Sequence, residues 1–167
     1  AYLGPKDMKK MVPIVLLVIV VVLLLVMKSV KNTIFTMLVV IFSVVWAFGL
    51  MAAVKIPIYA VSTMLPVMLI AIGVADGIHL YSHLDLFLRE TPNATRKEAV
   101  NDMLKGMWKP VVMTSVTTSI GFISLLTSEV FPIKYFGLFT ALGVMAAMLI
   151  SLILIPAAVL IFGSPKR

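Results

Sequence analysis

The sequence predicts an all-α fold: a polytopic membrane bundle of five transmembrane helices plus a short interfacial helix on the cytoplasmic side. Three observations carry that prediction. Of 167 residues, 62% are hydrophobic and 13% charged, with a mean hydropathy of +1.15, more apolar surface than a water-soluble domain of this size can bury. Five apolar runs follow one another, each near the roughly 20 residues that cross a hydrocarbon core of about 30 Å. The 14 lysines and arginines lie mostly between or beside those runs, the usual signature of membrane topology.

The elements follow in order. Residues 1–10, AYLGPKDMKK, read as an extracytoplasmic tail; they lack an initiator Met, and the run after them has no small-residue cleavage site, so they do not read as a secretory signal. The chain reads as a portion of something longer. The first span runs from Met11 to Met27, with Pro13 in its first turn, where a missing N–H costs least. A basic link, KSVKN, leads to a second span from Thr33 to Val54. Lys55-Ile56-Pro57 turns the chain into a third, from Ile58 past Asp76 to His83 or Phe87, within which Pro66 predicts a kink. Spans one to three thus occupy 11–84.

Residues 85–110 form the only long polar stretch, expected as a cytoplasmic linker. Thr95 and Glu98 have capping-box spacing. Ala99, Met103, Leu104 and Met107 then make one apolar stripe, which predicts a helix lying at the membrane surface. The fourth span runs from Val111 to about Ser128 and the fifth from about Tyr135 to Phe162, so the last two spans occupy 111–162, with a cytoplasmic tail at 163–167.

Charge sets the orientation. With the N-terminal end outside, nine basic residues fall inside (Lys28, Lys31, Arg89, Arg96, Lys97, Lys105, Lys109, Lys166, Arg167) and five outside (Lys6, Lys9, Lys10, Lys55, Lys134). The positive-inside bias therefore puts the C-terminus in the cytoplasm, although Lys6, Lys9 and Lys10 argue the other way. The same distribution fails the single-patch criterion for nucleic-acid binding, so no nucleic-acid partner is expected. With no cysteine there is no disulfide and no thiolate metal site.

The stretch AIGVADGIHLYSH, Ala71 to His83, holds the chemistry. Asp76 is the only acidic residue within the apolar runs. A charge inside a membrane costs several kcal/mol, so it usually faces a protein interior or water and marks function. Asp76, His79, Leu80 and His83 recur at i, i+3, i+4 and i+7. Two readings are open: a proton relay whose carboxyl changes charge with its surroundings, or an ordinary interfacial carboxylate where the helix leaves the membrane near Gly77. His79 would tune the acid, and His83 would reach the headgroups. Asp76, His79 and His83 lack further ligands to complete a metal shell, so no metal and no cofactor is expected.

In the fourth span, TSVTTSIG places Thr114, Thr117, Thr118 and Gly121 on one face. Their hydroxyls would either join a relay with Asp76 or simply permit close packing. Gly73 with Gly77, and Gly143 with Ala147 and Ser151, have the small-residue spacing of tight helix contacts, and Gly121 joins them as a packing glycine. No phosphate-cradling loop and no Ser, His and Asp set occurs, and no enzymatic activity is expected.

Three stretches in order, LPVMLIAIGVADGIHLYSH, RKEAVNDMLKGMWKPVVMTSVTTSIGFISLL and FGLFTALGVMAAMLISLILIPAAVL, resemble the resistance-nodulation-division (RND) transporter superfamily. They look most like the exporters grouped with the MMPL lipid exporters and the sterol-sensing-domain proteins. The likeness covers roughly Ile14 to Phe162. An RND half has six spans with a large external domain after the first, so the resemblance implies spans two to six of one half, with that domain missing. It implies a proton-driven exporter in the inner (cytoplasmic) membrane, moving hydrophobic or amphiphilic, lipid-like molecules, with Asp76 as the proton carrier. Its partners would be membrane lipids, the other transporter half and the external domain, with homo-oligomerisation also compatible. The motif departs from the family pattern, because Gly77 follows the acid and Ala75 precedes it where tyrosine or a second aspartate is common. The alternative is a sterol-sensing-like module that binds lipid or scaffolds partners without transport.

Overall fold

The structure is a computed structural model that describes the backbone of residues 3–163 and the side chains of 13, 14 and 17–163. The expected tails at 1–2 and 164–167, with Lys166 and Arg167, lie outside the described residues, as do the side chains of Lys6, Lys9 and Lys10. Five helices account for almost all of the rest: α1 Leu3–Met27, α2 Val30–Ala53, α3 Leu65–Glu90, α4 Arg96–Ile123 and α5 Phe131–Phe162. Four segments, Val30–Ala53, Val61–Glu90, Arg96–Thr127 and Phe131–Phe162, are long and apolar enough to cross a membrane. With 25 residues, α1 is long enough to join them at about 1.5 Å per residue. It starts earlier than expected, so residues 3–10 are helical rather than a tail.

Local chemistry explains where the helices end. Lys28 takes a left-handed φ of 47° after α1, and Ser29 caps α2 by accepting from the Asn32 N–H. Lys55, at φ 57°, turns the chain after α2. Pro66 lies in the first turn of α3, after a 3-10 turn at Val61–Met64. The expected kink is therefore absent: a proline there removes only an N–H that has no partner in the helix anyway. Thr95 and Glu98 form the full capping box that starts α4.

The largest departure from expectation is at Pro110. The amphipathic stretch and the fourth span are one helix, which runs through Pro110 to Ile123 before a 3-10 turn at Ser124–Thr127. Its first half packs Ala99, Val100 and Met103 into the same core as Leu80, Tyr81 and Leu84 of α3.

The bundle is built around α3, which packs against each of the other four helices. On α2 it lies antiparallel, with Gly77 against Thr36 and Gly73 against Val40. On α5 it lies parallel, with Leu69 against Gly143 and Gly73 near Ala147. At the end where α2 and α4 begin, cations cap the last carbonyls of α5, which its own ladder leaves open. Arg96 donates to Leu160 O and Ile161 O, both at 3.2 Å, and Lys31 donates to Phe162 O and Gly163 O.

Asn93, before α4, and Lys134, in the first turns of α5, sit at opposite ends of the bundle because α4 separates them. Single cysteines placed there should label from opposite faces of oriented vesicles, the Asn93 site from the cytoplasmic face. Labelling of both from one face would overturn the arrangement.

Candidate functional site

Asp76 lies near the middle of α3, the central helix, and is 4% exposed. Its Oδ2 is buried and has no hydrogen-bond partner among the described residues. The carboxyl is thus inside the bundle, not at the water interface. Its surroundings are close-packed because glycines flank it. A Cβ on Gly77 would stand 2.5 Å from Thr36 Cγ2, one on Gly73 3.1 Å from Val40 Cγ2, and one on Gly143 2.6 Å from Leu69 Cδ1. The offset that pairs Leu69 with Gly143 on parallel α3 and α5 carries Asp76 to the level of Ile150 and Ser151. Ser151 is fully buried, and its hydroxyl donates to Met148 O at 2.9 Å.

The histidines divide. At 100° per residue, His79 sits about 60° around α3 from Asp76 but His83 only about 20°. His79 is exposed. His83 is partly buried, with its Nδ1 3.7 Å from Asp102 Oδ2 across on α4 and its ring against Gly106.

The threonine face of α4 needs correction. Thr114 and Thr117 are exposed and Thr118 half-buried. The Thr114 hydroxyl donates to Pro110 O and Val111 O at 3.0 Å, and that of Thr117 to Met113 O at 2.8 Å and Thr114 O at 3.0 Å. None of the three threonines hydrogen-bonds Asp76 in the described structure. The face of α4 that closes on the bundle carries Val111, Ser115 and Ser119 instead. Ser119 donates to Ala141 O of α5 at 3.3 Å, while the buried Ser115 Oγ has no partner among the described residues. The cause is phase. Continuing the buried stripe Ala99–Met103 through Pro110 at helical spacing leads to Val111 and Ser115, and a break at Pro110 loses that register.

Gly121 also departs from expectation: nothing lies within 4 Å of where its Cβ would be, so it makes no tight contact among the described residues. Gly137 does so instead, its Cβ position falling 2.4 Å from Phe122 O and 2.7 Å from Leu125 Cβ. The Phe122–Phe136 ring contact beside it, at 6.0 Å, shows how closely α4 and α5 meet there. Among the described residues no three His, Asp or Glu side chains are gathered as metal ligands would be.

A family model described as MMPL family matches residues 2–167, nearly the whole chain. The chain belongs to the MMPL family. It is also similar to the Methanocaldococcus jannaschii membrane protein MJ1562, with 26% identity over 130 residues, covering 78% of this chain and 33% of that protein. The chain thus spans about a third of that relative's length. Membership in this RND-type family, the helical content and the apolar spans together make this MMPL chain a multi-pass membrane protein.

Proposed function

We propose that this MMPL chain is the larger part of one membrane half of an RND-type exporter in the cytoplasmic membrane. In that reading it moves hydrophobic or amphiphilic, lipid-like molecules outward on the proton gradient, and Asp76 carries the proton. One observation supports this above all: a carboxyl buried at mid-helix on the central helix, with an oxygen left without a partner. Keeping such a group in a membrane costs several kcal/mol, which a passive packing role does not offset. Glycines on the same stretch of α3 let α2 and α5 approach closely, so the carboxyl is enclosed by helices rather than by lipid. The second half and an external domain complete the machine, with the halves moving against each other.

The test is reconstitution of the full-length protein in proteoliposomes holding a pH-sensitive dye and a fluorescent phospholipid, which crosses a bare bilayer very slowly. An imposed pH gradient should drive movement of the lipid together with a counterflow of protons, both beyond those of protein-free liposomes, and a protonophore that dissipates the gradient should stop the lipid movement. Lipid movement that survives collapse of the gradient would overturn the proton-driven reading. Lipid binding without any flux would instead make the chain a lipid-binding module.

A further inference from the structure

Two of the buried polar atoms without hydrogen-bond partners among the described residues, Asp76 Oδ2 and His83 Nδ1, lie on one face of α3, two turns apart. The His83 side chain is 24% exposed and that of Asp102 42%, so this pair stands where the interior meets the surface. Gly106 makes room for the ring: a Cβ there would fall 2.4 Å from Nε2 and 2.7 Å from Cε1. The imidazole is therefore held in a slot on α4, with one edge toward the Asp102 carboxylate and the other beside an exposed glycine.

We propose that His83, held by Gly106 and Asp102, is the proton-transfer group linking Asp76 to the cytoplasm. This rests on Asp76 carrying the proton. About 10 Å of helix separates the two groups, at 1.5 Å per residue, a distance that a short file of waters spans. The O–H bond of protonated Asp76 breaks, and its proton passes along the waters to form an N–H bond at His83 Nδ1. The imidazolium gains the Asp102 carboxylate as a neighbouring counter-charge and gives up a proton from Nε2 to cytoplasmic water. Leu80 comes between Asp76 and His83 along α3 and is fully buried, so the transfer takes place only when the α3–α4 contact loosens. Histidine suits the task because its ring can take up a proton at one nitrogen and give one up from the other.

The other charges around His83 are accounted for. On α4, Asp102 faces the ring, while Lys105 and Lys109 are exposed. On α5 no ionisable residue with a charge lies between Lys134 and Phe162. Lys31 of α2 is engaged with the carbonyls at the end of α5, and Lys28, after α1, is exposed. On α3 itself, His79 is exposed and Asp85 pairs with Arg89 at 2.9 Å.

The experiment compares His83→Gln, Asp102→Asn and Asp76→Asn in the full-length reconstituted protein, measuring proton release on the cytoplasmic face across roughly pH 5 to 8. Glutamine keeps the size and hydrogen-bonding capacity of the ring but carries no proton. His83→Gln should lower proton flux on the order of a hundredfold and flatten its pH dependence, with an unchanged melting temperature. Asp102→Asn should keep most of the flux but move its pH dependence toward acid, because the imidazolium loses its counter-charge. Wild-type flux and pH profile in His83→Gln, beside an inactive Asp76→Asn, would overturn the role of His83 alone. An active Asp76→Asn would overturn the underlying reading. If His83→Gln fails to fold, Asp102→Asn decides: an unmoved pH profile overturns the inference.

Discussion

Asp76→Asn in the full-length protein is expected to reduce proton-coupled export to background while leaving insertion, folding and abundance intact. The amide has the shape of the carboxyl but cannot bind and release a proton. The side chain is 4% exposed and its Oδ2 accepts no hydrogen bond among the described residues, so none to that oxygen is lost by the change. Because a carboxyl at this depth costs several kcal/mol, the Asn variant should melt at the same temperature as the natural protein or above it. A group kept at the expense of stability is the mark of a functional site. Flux assays and thermal unfolding on the same preparation check both halves of the expectation. Normal export by the Asn variant would remove Asp76 from the mechanism.

Gly77→Ala is expected to destabilise the full-length protein by about 1–3 kcal/mol through overpacking at the α2–α3 contact. In a helix interior the same change normally stabilises, by up to about 1 kcal/mol. Geometry decides the sign. The new methyl would stand 2.5 Å from Thr36 Cγ2, 2.7 Å from its Oγ1 and 3.1 Å from its Cβ. Thr36 is fully buried, and its hydroxyl donates to Asn32 O at 3.0 Å, so the side chain has little freedom to withdraw. The helices must separate by a few tenths of an ångström, which also disturbs the carboxyl one residue away. Thr36→Ala made in the same protein should recover most of the lost stability. An unfolding temperature for Gly77→Ala at or above that of the natural protein would show that the contact is looser than the structure has it.

Much of the fold was legible in the residues. The five apolar runs fall on the five helices and the capping box at Thr95 and Glu98 starts α4, while the polar stretch between the third and fourth spans is divided between the end of α3 and the first half of α4. Boundaries went astray around two prolines. The sequence reading puts a kink at Pro66 and starts the fourth span after Pro110, yet Pro66 lies in the first turn of α3 and Pro110 is carried inside α4. Asp76 stood out because an acid in an apolar run is rare whatever surrounds it. The buried face of α4 did not, and its threonine-rich side drew attention away from Ser115 and Ser119, which are the buried hydroxyls of that helix. His83 was placed at the headgroups for want of any sign that Gly106 and Asp102 would meet it.

By itself, then, the sequence determined that this chain belongs in a membrane, where its apolar runs lie, how α4 is capped and which acid is out of place. Those properties depend on run length and on groups within a turn of one another. Only the tertiary structure decided which side of each helix faces inward, and so which side chains surround Asp76. In water a helix announces its buried face through apolar residues that recur every three or four positions among polar ones. In a membrane, lipid is as apolar as the protein interior, so the pattern around the helix says little about which neighbour it meets. The register carried through Pro110 buried Ser115 rather than Thr114, and the fit of Gly106 against the ring brought His83 rather than His79 into the bundle.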